Sequence, residues 1–472
     1  MLVPFINTAA LLTVGVVLSS RATPKTGTLL PIMSFTAVAF PLTDLQLAQL
    51  PPQLISKATS AFSRNRLGKL GFGERHRFVT HGRERFSKAR NRWTQLTSPN
   101  VSDLPDGLVA SSPICFAAFS FDARSSTNSM ITVPKFVLDI SEDEIWLRYI
   151  YAPVDPVPGV EEIFAQFVNE LPQEPVYESQ ANPVSVAAYM SEQEFCVSVN
   201  EAVAMIERGE AAKIVVARDE CLFSSEGFHI ASTMEALAHD NPTAWTYKVG
   251  ELIGSTPELL IARQGNAAHA RVLAGTVDRS TAINDRILAG RLSDNPKQLF
   301  EHQAAVESLV EKLAPFATDL QVSKKPFVLA LPNVYHLATD VSAELTSSTS
   351  ILDLVGEINP TAAVGGTPRK AALDAIWRLE AQTHGLDRGL YAGAVGWLDA
   401  DGQGEFGIAL RGCVVEDQHH IRVYAGCGIV RGSNAVEELA ETHAKMRPIK
   451  QALRTRITYR TDEPTNELSK RC

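Results

Sequence analysis

The sequence contains no CxxC pair. Its six cysteines, Cys115, Cys196, Cys221, Cys413, Cys427 and Cys472, are scattered, which suggests neither a zinc site nor a compact disulfide framework and favours a reducing cytoplasm. Walker spacing is also missing, so a nucleoside triphosphate is not indicated. There is no extended acidic tail and no basic excess. With a net charge of −9 the chain is a poor general nucleic-acid binder, and an anionic small-molecule substrate would need local cations or a metal. The one long apolar run, residues 1–20, has no basic n-region, carries Asn7 and Thr8, and falls short of a comfortable membrane span. A start at Met33 would make residues 1–32 a mis-assigned or disposable extension, and this is preferred over secretion. No internal repeat stands out.

What remains is a chain of 472 residues, 45% apolar and 21% charged, large enough for one big domain or two ordinary ones. Residues 33–180 read as a β-rich half. It includes a basic stretch with ten Lys or Arg from Arg64 to Arg92, where ERHRFVTHG suggests a hairpin leading into a helix. The runs SPICFAAFSFD, MITVPKFVLDI and EIWLRYIY read as a meander. Residues 152–190 look like a connection with one helical piece near Gly159 to Glu170. From 181 to 457, helices near Ser232–Ala238, Asp294–Ala314 and Ala371–Thr383 separate the strands KIVVAR, AWTYKVG and ELIGSTPELLIAR from a last group. That group, LYAGAVGWLD, GEFGIALRGCVV and HHIRVYAGCGIV, reads as consecutive antiparallel strands. Residues 458–472 form a polar tail. Meanders separated by clusters of helices predict an α+β architecture.

Several residues in this pattern could carry chemistry. Lys213 opens an apolar strand, so it stands either at an exposed end or in a pocket where desolvation would suit a general base. Glu258 closes the turn GSTPE, rigidified by Pro257. Arg411 follows the strand FGIAL, sharing a face with the small residues Gly407 and Ala409, and could clamp a carboxylate or form a structural ion pair. Glu301 lies off the apolar stripe of its helix, and periodicity alone would place it at the surface. LAGT (Leu273 to Thr276) and NPTAAVGGTPRK (Asn359 to Lys370) are glycine-rich turns, the second leading into a helix N-terminus that favours an anion.

The strand YAGCGIV runs through a glycine turn into a helix that Ser433 or Asn434 can cap. At about 100° per residue, Glu438, Glu441 and Lys445 fall within roughly 60° of one another, while Val436, Leu439 and Met446 lie on a different face. Taken alone, this is a solvated face with an i,i+4 Glu441–Lys445 pair. The same two carboxylates could also hold a hard divalent cation.

In this order, KIVVAR, GSTPELL, LAGT, EHQAAVESL, HLATD, NPTAAVGGTPR, YAGAVGW, IALRG, YAGCGIV and EELAETHAK resemble the motifs of the chorismate-utilising enzymes. That family comprises isochorismate synthases, salicylate synthases, anthranilate synthase component I and aminodeoxychorismate synthase component I. GFGE, CFAAFSFD and TVPKFVL extend the likeness to the N-terminal half of isochorismate synthases. The resemblance implies the anthranilate synthase component I-like fold, in which large antiparallel sheets form a two-lobed sandwich with helices outside. It implies Mg²⁺ held by Glu301, Glu438 and Glu441, the last directly or through water. It further implies chorismate contacts from Ala274, Gly275, Thr276, His336, Ala363, Tyr391, Arg411, Gly426, Gly428 and Lys445.

Three positions separate the subfamilies. Anthranilate synthases carry Gln where Lys213 stands, because ammonia needs no base, whereas water does. Aminodeoxychorismate synthases typically carry a nucleophilic Lys at the position of Ala274, which cannot form that adduct. Amine-transferring types usually have Thr where Ala363 stands, and no LLES-like segment associated with tryptophan feedback is found. The likeness therefore implies an isochorismate synthase, an isomerase with Lys213 as general base and Glu258 as general acid. A salicylate synthase is the nearest alternative, followed by anthranilate synthase component I and a non-catalytic chorismate-binding homologue. The implied product serves menaquinone or siderophore synthesis, in a cytoplasmic monomer or weak dimer with neither a nucleic-acid nor a membrane partner. Asn359 stands where the family commonly has His before proline, and Leu439 where an aromatic often follows the first metal glutamate.

Overall fold

The computed structural model of the protein describes residues 34–97, 103–172, 183–278, 290, 292–330, 334–346 and 349–454. The N-terminal extension and the polar tail lie outside the described residues. Two antiparallel sheets, one of 13 strands and one of 10, enclose a shared apolar core. Phe62 and Tyr247 of the larger sheet and Phe116 and Phe406 of the smaller belong to it and are fully buried. A second core lies on the larger sheet's other face, where the helices Val160–Glu170, Ile230–Asp240 and Ala435–Ala452 cover it through Phe167, Leu237 and Ile449. This is the expected α+β sandwich with helices outside. Among the described residues, no helix is long and apolar enough to cross a membrane.

The strand bookkeeping differs from the periodicity at several points, and the differences share a cause. The hairpin of the basic stretch is Ser60–Arg64 with Leu67–Phe72, turned by Asn65 and Arg66 at positive φ. His76–Thr80, expected to form the hairpin, pairs instead with Ser129–Val133 in the other sheet. MITVPKFVLDI is two strands broken at Pro134. Ser129–Val133 stays in the smaller sheet and Phe136–Ile140 crosses to the larger, so the expected meander is divided between the sheets. ELIGSTPELLIAR crosses at Pro257, from Leu252–Thr256 to Leu259–Gln264. GEFGIALRGCVV crosses near Arg411, from Gly404–Ile408 to Gly412–Val415. A proline supplies no N–H to a ladder, and a left-handed residue turns the chain out of its pleat; Arg411 has φ 51°. At these points the chain changes sheet while remaining largely buried.

The helix expected at 371–383 is α-helical only over Arg369–Ile376 and continues as a π-turn, Trp377–Gln382. In the last helix, Asn434 is the cap, accepting from the N–H groups of Val436 and Glu437 at 3.0 and 3.2 Å. Met446 is buried but Val436 is 71% exposed, so Val436 does not share a buried apolar face with it.

Candidate active site

Two of the sheet crossings run side by side. The N–H of Ile408 donates to the carbonyl of Glu258 at 3.1 Å, and the N–H of Ser255 to the carbonyl of Arg411 at 3.4 Å. These bonds bring Glu258 and Arg411 to the edge of one cavity of about 140 Å³, also lined by Lys213, His336, Ala363, Tyr391, Gly426, Gly428, Glu438, Glu441 and Lys445. Every expected site residue with a described side chain is therefore in one place. Ala274, Gly275 and Thr276 belong to the strand Ala267–Asp278, with Ala274 opposite Leu337, Thr276 opposite His336 and a register shift between them. Their backbone thus runs beside a cavity residue. The side chain of Glu301 lies outside the described residues; its helix, Pro296–Leu313, reaches the cavity through Gln298.

Lys213 is 8% exposed and opens the strand Lys213–Phe223, opposite Thr367; it is in the pocket and not at an exposed end. The next strand, His420–Ile429, pairs along its length with Lys213–Phe223. Val215 donates its N–H to Gly365 and Ala217 donates its N–H to Glu380, so both turn their backbone groups away from this partner. In an antiparallel ladder the residues opposite them, Gly428 and Gly426, are then the non-hydrogen-bonded members. Their N–H groups point to the free edge, where a ligand could meet them. A Cβ on Gly426 would come 3.3 Å from the hydroxyl of Tyr391, whose ring stacks on Tyr424 at 5.1 Å.

Burial pushes the Glu258 carboxyl up to about 8, against the opposing pull of Lys213, an N–H bond from Leu273, Lys445 and Arg411. It is a protonated acid at neutral pH. Glu441 shows the opposite balance. Burial works to raise its carboxyl, but the Lys445 ammonium 2.6 Å away, together with His336 and Arg411, holds it below the ordinary value. Lys445 also donates to the carbonyl of Gly426 at 2.8 Å. The i,i+4 pair expected from the helix alone is therefore present, and it lines the cavity.

Ligand atoms of Glu438, Glu441 and Cys427 lie within 4.8 Å of one another. Two carboxylates at a cavity wall suit a hard cation such as Mg²⁺; the Cys427 thiol, pushed well up by burial, is a poor ligand for it. A second group, Glu192, Glu220 and His443, is threaded by Arg218, whose guanidinium sits 3.1 Å from both Glu220 and His443. It is an ion-pair network.

Arg388 also lines the cavity and was not singled out by sequence. It forms two hydrogen bonds of 2.7 Å with the Glu380 carboxylate and donates to the carbonyls of Val215 and Val364 at 2.8 and 2.9 Å. Its signal was hidden because Glu380 sits on the π-turn, where helical spacing does not predict direction. Asn359 is 2% exposed, and its amide Nδ2 has no hydrogen-bond partner among the described residues.

The family model described as chorismate binding enzyme matches residues 44–454. The chain is 28% identical over 396 residues to isochorismate synthase MenF of Bacillus subtilis, covering 80% of this chain and 81% of that protein. It is 28% identical over 392 residues to the salicylate biosynthesis isochorismate synthase of Pseudomonas aeruginosa, covering 79% and 80%. The solved structure of MenF, the menaquinone-specific isochorismate synthase from Escherichia coli, superposes with a TM-score of 0.71 over 89% of this chain and 95% of that one, at 22% identity, which speaks for the fold.

Proposed function

Because the chain belongs to the chorismate-binding enzyme family, we propose that it is an isomerase converting chorismate to isochorismate in this cavity. One observation carries the reading: Lys213, opening one strand, and Glu258, at the crossing between two others, line the same cavity, and burial keeps Glu258 protonated at neutral pH. In this reading Lys213 takes a proton from water as it attacks C2 of the ring. Glu258 gives its proton to the departing C4 hydroxyl as the double bonds shift, from the opposite side. Arg411, Lys445 and the N–H groups of Gly426 and Gly428 hold the two carboxylates. Formally, Arg411 and Lys445 offset Glu438 and Glu441, so a divalent cation at the glutamates tips the cavity positive, as a dianion requires. When bound at Glu301, Glu438 and Glu441, Mg²⁺ would neutralise and orient the ring carboxylate.

The test is product analysis with chorismate and Mg²⁺. Isochorismate should accumulate without salicylate or pyruvate, added ammonia should yield no anthranilate, and a chelator should stop the reaction. Salicylate with pyruvate would make the protein a salicylate synthase, and binding without consumption would make it a non-catalytic homologue.

The acid role also sets a pH dependence. Activity should fall as pH rises through about 8, where Glu258 loses its proton. The folded state holds that proton more tightly than the unfolded chain, whose ordinary value is 4.5. The contribution to stability is therefore complete below pH 4.5 and is lost as pH climbs toward 8. In Glu258→Gln the alkaline limb of this stability profile should flatten, as read from denaturation midpoints across pH. An unchanged limb would assign the titration to another group.

A further inference from the structure

Glu258 lines a second, smaller cavity as well as the main one. This cavity measures about 20 Å³ and is also lined by Ser308, Lys312, Ile358 and Thr361, which leaves room for about one water molecule. The Thr361 hydroxyl is buried and has no hydrogen-bond partner among the described residues; a water there would satisfy it. Lys312, in the last turn of its helix and half-buried, points its ammonium at the carbonyl of Ile358, 3.4 Å away. Glu258 itself is 6% exposed, so bulk solvent reaches it poorly.

The reaction proposed above ends each turnover with Glu258 as a carboxylate and Lys213 as an ammonium. Before the next one, Glu258 must regain a proton. We propose that Lys312 returns it, through one water held in the small cavity against the Thr361 hydroxyl; the inference rests on the isochorismate-forming reading. An N–H bond of the Lys312 ammonium breaks, the water passes a proton on, and an O–H bond forms on Glu258. Lys312, left neutral, takes a proton from solvent, and Lys213 gives one up, so the cycle closes without a net proton.

The electrostatics suit the transfer. Burial pulls the Lys312 ammonium down to about 8, with Arg369 acting in the same direction and Glu357 and Glu311 against it. Arg271, which lines the same cavity, is paired with Asp340 at 2.6 Å. Donor and acceptor thus sit near the same value, about 8 in each case, and a proton moves between them at little cost in either direction.

Lys312→Met and Thr361→Val keep volume and remove the donor and the hydroxyl. Rapid-quench single turnovers, with enzyme in excess over chorismate, are compared with steady-state rates. Both variants should match wild type in the single turnover and fall by about tenfold or more in the steady state. A small amine buffer whose pKa matches that of Glu258 should restore the loss. Unchanged steady-state rates would overturn the proposal. So would equal losses in both regimes without buffer rescue, the pattern expected if Lys312 only caps the helix Ile351–Ile358. A wild-type protein that forms no isochorismate even in a single turnover would overturn the underlying reading, and the inference with it.

Discussion

Lys213→Ala should lower the rate of isochorismate formation by about 10² to 10⁴, the usual contribution of a positioned general base, and leave Mg²⁺-dependent chorismate binding in place. The two effects separate because Lys213 stands apart from the groups assigned to the carboxylates. Arg411, Lys445 and the glycine N–H groups come from a sheet crossing, from the last helix and from the strand His420–Ile429. The fold should tolerate the change, since position 213 contributes its backbone to the pairing with Thr367 whatever the side chain. Calorimetric titration with chorismate and Mg²⁺ alongside a product assay gives both readings. Near-wild-type turnover would sink the base assignment. Lost binding with lost turnover would move Lys213 from proton transfer to substrate anchoring.

The largest stability effect should come from Arg388→Met. Glu380 is 1% exposed and Arg388 3% exposed, and the pair also ties down three backbone groups: the N–H of Ala217 and the carbonyls of Val215 and Val364. Removing the cation leaves a buried carboxylate without its counter-ion, which typically costs about 3–5 kcal/mol. Adding Glu380→Leu removes the stranded charge and should recover part of that loss, because a buried pair replaced by apolar side chains is often near neutral. Activity should not recover with it. Val215 and Val364 both line the cavity, and without the guanidinium the strand carrying Lys213 loses one of its ties to the loop carrying Ala363, the bond from the Val215 N–H to Gly365 remaining. Denaturant unfolding of the single and double variants checks this. A single variant within about 1 kcal/mol of wild type would show that water replaces the guanidinium without strain.

Much of the candidate site was legible because its residues are marked locally. Glu258 follows a proline at a strand end, Arg411 shares a face with Gly407 and Ala409, and Glu438 and Glu441 stand one turn apart near a helix start. Resemblance to the chorismate-utilising enzymes then separated these from ordinary surface charges, which periodicity could not do. Arg388 escaped because nothing in its neighbourhood marks it. Its partner lies on a π-turn, and its other bonds reach residues 24 and 173 positions away in sequence.

The sequence alone determined the α+β class, a cap at Ser433 or Asn434 and the polar face of the last helix. These depend on local propensity and on periods of 2.0 and 3.6 residues, which a short window contains. Which sheet a strand joins was decided only in the tertiary structure. The chain crossing at Pro134, Pro257 or Arg411 is apolar and largely buried on both sides, and an apolar run records that it is covered and not which partner covers it. The proton on Glu258 and the Glu441–Lys445 pair at the cavity wall belong to the same category. The pair itself is local, but its place at a cavity wall and the desolvation that protonates Glu258 against the pull of Lys213, Lys445 and Arg411 exist only once the two sheets have closed over the site.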